Sequence, residues 1–239
     1  MAIDYTKRPA AGEPAEPAQP TPPTPAPAPA PPTISLSKVT LTKASPTVSL
    51  TKQSSGLLRV NLNWNARPEG TGGGGGLFKR PTPAIDLDLG CLYEFTDGTK
   101  GVVQALGNAF TAKPRGGSDR VIWLDGDDRS GATSGGENLF IDLAFAAQIR
   151  RVMVFALIYE GVANWAAADA VVTLFPTAGP QVEVRLDEAR PKARICGIVM
   201  LEQSGGTLSV RREVNYIEGT QSTLDRAYGW GMNWSAGRK

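Results

Sequence analysis

The sequence predicts an all-β fold, a two-sheet antiparallel β-sandwich preceded by a disordered Pro/Ala-rich N-terminal tether. Three observations carry that prediction. After Thr33 the chain is written in short runs of Val, Ile, Leu, Thr and Trp with period-two alternation. Clusters of Gly, Pro, Asn and Asp separate those runs, and only two short stretches have helical texture. From Pro9 to Pro32, in contrast, the sequence is almost entirely Pro, Ala, Thr, Glu and Gln, which cannot bury enough apolar surface to offset chain entropy.

In chain order, residues 1–8 form a short N-terminal peptide and residues 9–33 the linker, which as extended polyproline II would reach on the order of 70 Å. Residues 34–239 form the sandwich domain. Its expected strands are Ser35 to Thr42, Thr47 to Lys52, Leu57 to Trp64, Ile85 to Phe95, Gly101 to Ala105, Arg120 to Leu124, Leu139 to Asp142, Arg151 to Glu160, Ala170 to Pro176, Gln181 to Asp187, Arg194 to Gln203 and Thr207 to Tyr216. Asp97-Gly98 and Gly205-Gly206 are two-residue hairpin signals. Ala144 to Ile149 and Leu224 to Tyr228 are the helical stretches. A repeated apolar-polar-Leu-polar-Lys unit at Ile34, Val39 and Val48 reads as edge strands guarded by lysine. The glycines Gly72 to Gly76 lack the Lys-Ser/Thr of a phosphate loop and read as an insertion.

The 239 residues contain no histidine, which excludes His-based triads, His-ligated zinc and imidazole proton transfer. Lys and Arg (25) nearly balance Asp and Glu (23), so no global field argues for nucleic acid. Cys91 and Cys196 sit in apolar runs without metal or redox spacing and read as buried. With no apolar leader and no apolar run of membrane length, the expected location is cytoplasmic, with any membrane association made through partners.

Two acidic segments stand out. In the strand Ile85-Asp-Leu-Asp-Leu89, Asp86 and Asp88 share one face, roughly 7 Å apart, and like charges that close require a cation or fixed donors. In the glycine-rich run from Trp123 to Asn138, Asp125, Asp127, Asp128 and Glu137 add oxygen ligands of the kind Ca²⁺ takes. The spacing fails the EF-hand pattern, because Arg129 stands at the fifth ligand position from Asp125. The candidate metal set is therefore Asp86, Asp88, Asp125, Asp127, Asp128 and Glu137, brought to one end of the sandwich.

These segments, with Val48-Ser-Leu-Thr-Lys, Leu58-Arg-Val-Asn-Leu-Asn-Trp64, Leu124-Asp-Gly-Asp-Asp-Arg-Ser-Gly131 and Val152-Met-Val-Phe-Ala-Leu-Ile-Tyr159, resemble the tellurium-resistance TerD-like family in order and spacing. Cys91-Leu-Tyr-Glu, Val102-Val-Gln-Ala-Leu-Gly107 and Ala227-Tyr-Gly-Trp-Gly-Met-Asn-Trp234 add a closer likeness to its TerA-type members. The resemblance implies a Ca²⁺-binding bacterial β-sandwich that works with other tellurium-resistance and stress-response proteins as a binding or scaffold component, with self-association open. It maps the family's acidic strand onto Asp86 and Asp88, and its loop onto Gly126 to Gly131. Where Ca²⁺-binding members continue with further acids, this chain has Ala132-Thr-Ser-Gly-Gly-Glu137.

Two other classes stay open. A calcium-stabilised carbohydrate-binding module would use Trp165, Trp230, Trp234, Tyr216 and Tyr228 for stacking. A carboxylate-pair hydrolase would use two acids such as Asp88 and Asp128.

Overall fold

The apolar run that opens at Val152 has no polar face, and its neighbours in space explain why. A computed structural model of the chain describes residues 38–50, 55–67, 84–125, 135–161, 163–204 and 207–235. The expected linker, the five-glycine run and most of the acidic loop lie outside them. The strands are β1 (Val39–Thr40), β2 (Thr47–Ser49), β3 (Leu57–Asn63), β4 (Asp86–Phe95), β5 (Lys100–Val103), β6 (Thr111–Ala112), β7 (Ile122–Leu124), β8 (Glu137–Asp142), β9 (Ile149–Glu160), β10 (Ala170–Phe175), β11 (Val182–Leu186), β12 (Ile195–Ser204) and β13 (Thr207–Ile217). They form a seven-stranded sheet ordered β1-β11-β10-β3-β8-β7-β6 and a six-stranded sheet ordered β2-β13-β12-β9-β4-β5.

Alternating side chains of both sheets meet in the interior. Leu58, Val60 and Leu62 of β3 and Leu139 and Ile141 of β8 join Leu87, Leu89 and Cys91 of β4 and Val152, Val154 and Ala156 of β9 in one buried cluster. Each such Leu or Ile contributes about 1.5–3 kcal/mol of apolar burial. The six-stranded sheet buries its outer face as well. There Leu92, Met153, Phe155, Leu157, Ile195 and Met200 pack with Leu224 and Trp230, which come from α2 (Gln221–Tyr228) and the segment after it. Strands at the centre of that sheet are covered on both sides, so β9 and β12 have no polar face to show.

Polar contacts fasten this roof. Arg151 Nε donates to Glu94 Oε2 at 2.7 Å, and its terminal nitrogens donate to the carbonyls of Tyr228 (3.1 Å) and Gly229 (3.2 Å). The Arg151 guanidinium also lies 3.8 Å from the Trp230 ring centroid, and Trp230 Nε1 donates to the Tyr93 carbonyl at 3.0 Å.

The hairpin signals were sound. Gly98 takes φ +81° between β4 and β5, where Thr99 N–H donates to Asp97 Oδ1 at 2.7 Å. Ser204 pairs with Thr207 across the Gly205-Gly206 position. One pair departs from the antiparallel expectation: β1 runs parallel to β11. The chain goes from the edge of one sheet at β1 to the edge of the other at β2 within Leu41 to Pro46, so β1 is not laid down by a hairpin. The described parts of the Val39 and Val48 repeats do lie in edge strands, β1 and β2.

The first helical stretch is a 3-10 segment, Leu143–Gln148, capped by Asp142, whose Oδ1 accepts from Ala144 N–H at 2.9 Å. The second extends back to Gln221 as α2. A four-residue helix, α1 (Trp165–Ala168), was not foreseen, although its Asn164 cap accepts from Ala167 N–H at 3.0 Å. Strand β6 was also missed. Among the described residues no helix is long and apolar enough to cross a membrane.

Candidate functional site

Period-two alternation sends Leu87 and Leu89 into the interior and Asp86 and Asp88 to the other side of β4. The sequence did not foresee how deeply both acids are covered: Asp86 is 6% exposed and Asp88 3%. Asp86 lies opposite Glu160 of β9, a register irregularity follows, and Asp88 lies opposite Leu157.

Glu137 opens β8 and is buried on the side of Leu139 and Ile141. Its Oε2 accepts the Leu89 backbone N–H at 2.5 Å. β5 pairs with β4 only from Cys91 to Glu94, so this N–H lies beyond the end of β5 and takes a carboxylate in place of a strand partner. Glu137 thereby ties the two sheets together.

Asp125 is exposed at the end of β7. Its N–H donates to the Asn138 carbonyl at 3.2 Å, and its Oδ2 accepts from Asn138 Nδ2 at 2.9 Å. Asn138 Oδ1 in turn accepts from Asn61 Nδ2 (2.9 Å) and Arg59 (3.1 Å). Asn61 Nδ2 also donates to the Gly135 carbonyl, and Asn63 Nδ2 donates to Asn61 Oδ1. Gly136 has φ +61°, and a Cβ there would collide with the Leu62 carbonyl oxygen. This asparagine ladder was missed in the sequence. Its signal is Asn61 and Asn63 on the polar side of the alternating run Leu58-Arg-Val-Asn-Leu-Asn63.

The structure thus brings Asp86 together with Asp88, and Asp125 together with the start of β8. Asp127 and Asp128 lie outside the described residues. Among the described residues no three His, Cys, Asp or Glu side chains converge as a metal set. The donor chemistry present is carboxylate oxygen, which suits a hard cation. The thiols do not compete: Cys91 and Cys196 are free and buried, and burial pushes both well above the ordinary thiol range.

The aromatic set proposed for stacking divides. Trp165 is buried with Nε1 donating to the Ala193 carbonyl at 2.7 Å, and Tyr216 meets it edge-on at 5.5 Å between ring centroids. Trp230 is buried as part of the roof. Tyr228 donates its O–H to Glu213 Oε2 at 3.1 Å. Trp234 remains half-buried at the surface.

Over 208 residues the chain is 47% identical to the tellurium resistance protein TerA of an Alcaligenes species, covering 86% of this chain and 60% of that protein. The chain therefore spans about three fifths of that relative's length. No family model matches. A crystal structure of a protein of unknown function superposes with a TM-score of 0.54 at 16% identity, covering 74% of this chain and 98% of that one, a likeness of fold. The crystal structure of a homologue of the telluride resistance protein TerD from Streptomyces coelicolor gives 0.47 at 17% identity, over 70% of this chain and 94% of that one.

Proposed function

We propose, on the likeness to TerA, that the chain belongs to the tellurium-resistance TerD-like family and serves tellurite resistance as a non-enzymatic, Ca²⁺-binding sandwich that engages other tellurium-resistance and stress proteins. One observation carries the metal part of this reading: two carboxylates at i and i+2 of one strand, Asp86 and Asp88, are both more than nine-tenths buried. Buried like charges are costly unless cationic charge or fixed donors balance them, and a divalent ion supplies that balance. Asp127 and Asp128 would complete the oxygen shell. Glu137 acts as a brace, since one of its oxygens already holds Leu89 N–H. The chemistry supplied by bound Ca²⁺ is charge neutralisation. The protein's part is to hold Asp86 and Asp88 in place, and ion binding would form the surface that a partner meets. The absence of histidine and the buried thiols support a binding role over catalysis.

The test is a metal count and calorimetric titration on the full chain. The expected result is Ca²⁺ uptake that falls at least about tenfold in Asp88→Asn combined with Asp127→Asn, since each replaces a carboxylate ligand by an amide. Free Ca²⁺ at a hundred times its dissociation constant should stabilise the chain by about 2.7 kcal/mol, and chelator should remove that gain. No uptake at millimolar Ca²⁺, or uptake unchanged in the double variant, would sink the metal assignment.

A further inference from the structure

Trp234 is held in place by the residue that organises its segment. Its Nε1 donates to Asp225 Oδ2 at 3.0 Å, while Asp225 also accepts the N–H groups of Gly231 (2.9 Å) and Met232 (3.0 Å). With its only donor spent, the indole is fixed in orientation and presents carbon surface.

That surface borders a hollow of about 330 Å³, whose other walls include Gln104, Leu106, Thr220, Gln221 and Ser222. Gln221 Nε2 donates to Gln104 Oε1 at 2.9 Å. This single bond leaves Gln221 Oε1 as an acceptor and the Gln104 amide nitrogen as a donor with no partner among the described residues, although Gln221 is only 7% exposed. Thr220 is the N-cap of α2, yet its hydroxyl does not cap the helix and lies 3.2 Å from the Ser222 hydroxyl. Among the described residues no charged side chain lines the hollow.

An aromatic wall, an aliphatic wall and a set of neutral donors and acceptors define the ligand by chemistry. Among the described walls an anion would meet no cation, and a cation no carboxylate. A sugar ring offers a C–H face for the indole and hydroxyls that both give and accept hydrogen bonds with amides. The volume is at the low end for ligand pockets and admits one ring. We infer that this hollow binds a neutral sugar or polyol, its ring packed on Trp234 and its hydroxyls shared between Gln104 and Gln221. The site lies apart from the acidic segments and is independent of the metal reading.

Saturation-transfer NMR on the full chain with a panel of neutral monosaccharides, and with oligosaccharides ending in the same rings, tests it. The expected result is transfer to at least one ring, unchanged by chelator, and about tenfold weaker in Gln104→Ala and in Trp234→Ala. Gln104→Ala is the safer variant, because it leaves α2 and the Asp225 contacts in place, and thermal melts of both variants verify folding. Binding by oligosaccharides but not by free rings would place the site on a glycan end. Absence of transfer from any neutral sugar overturns the proposal. So does binding that Gln104→Ala and Trp234→Ala leave unchanged, or a ligand that inorganic sulfate displaces.

Discussion

The two sheets turn different outer faces to their surroundings. The six-stranded sheet is roofed by α2 and Trp230, so its outer face is a second apolar interior. The seven-stranded sheet has no such roof among the described residues and covers itself. Trp123, Phe140, Arg59 and Phe175 stand opposite one another on β7, β8, β3 and β10. Trp123 stacks on Phe140 with centroids 5.5 Å apart, and Arg59 lies 4.0 Å over Phe175. Arg120 adds a guanidinium 4.3 Å over Trp123. A roof buries side chains fully and puts much of its stability into a few large residues. A self-covered face spreads smaller gains over many half-exposed pairs.

Substitutions sharpen that contrast. Trp230→Ala should cost about 3–5 kcal/mol, because it empties a buried site and strips the Tyr93 carbonyl of its donor. Urea unfolding would measure this, and increased dye binding to exposed apolar surface would show that the roof has lifted. Asp225→Ala comes next, at about 1–3 kcal/mol, since three N–H groups lose one carboxylate. Phe140→Ala, on the self-covered face, should cost about 1 kcal/mol by the same assay. A loss as large as that of Trp230→Ala would mean that the two faces are built alike.

The smallest effect is one of pH. Burial, with the Glu213 charge adding to it, raises the Tyr228 phenol to about 12. A raised phenol favours the neutral form in the fold. Its contribution is full below the ordinary phenol value near 10 and is lost as pH climbs through 12. Tyr228→Phe should abolish the corresponding step in an alkaline tyrosinate titration, and an unchanged step would detach that shift from the roof.

Much of this contrast was legible in the sequence. The alternating run Leu58 to Asn63 announced one open face, and the continuous run Val152 to Ile158 announced burial on two. What covers the second face was harder to read. Leu224 to Tyr228 looked too short to roof a sheet, and the residue that completes the cover, Trp230, lies past the helix in a stretch without periodicity. β6 was missed because two residues cannot display alternation, and α1 because four residues barely form a turn. In the candidate site, alternation puts Asp86 and Asp88 at alternate positions of β4, and both are buried. Burial at that position depends on what packs over the strand, which periodicity does not encode. Glu137 was read as a ligand from its place in the glycine-rich run; that its Oε2 also accepts a backbone N–H depends on strand lengths in space, which the sequence does not display.

The two short strands at the start of the described chain hem the sandwich. Val39 meets Val182 and Ser49 meets Ser209, partners that the ribosome delivers only long after them. Until then β11 and β13 do not exist to receive them, and closing so long a loop is slow. The hem is therefore sewn last. An interrupted or truncated chain would be left with two unfinished seams, one on each sheet, and the lysines at their ends would be what keeps those seams from joining to another molecule.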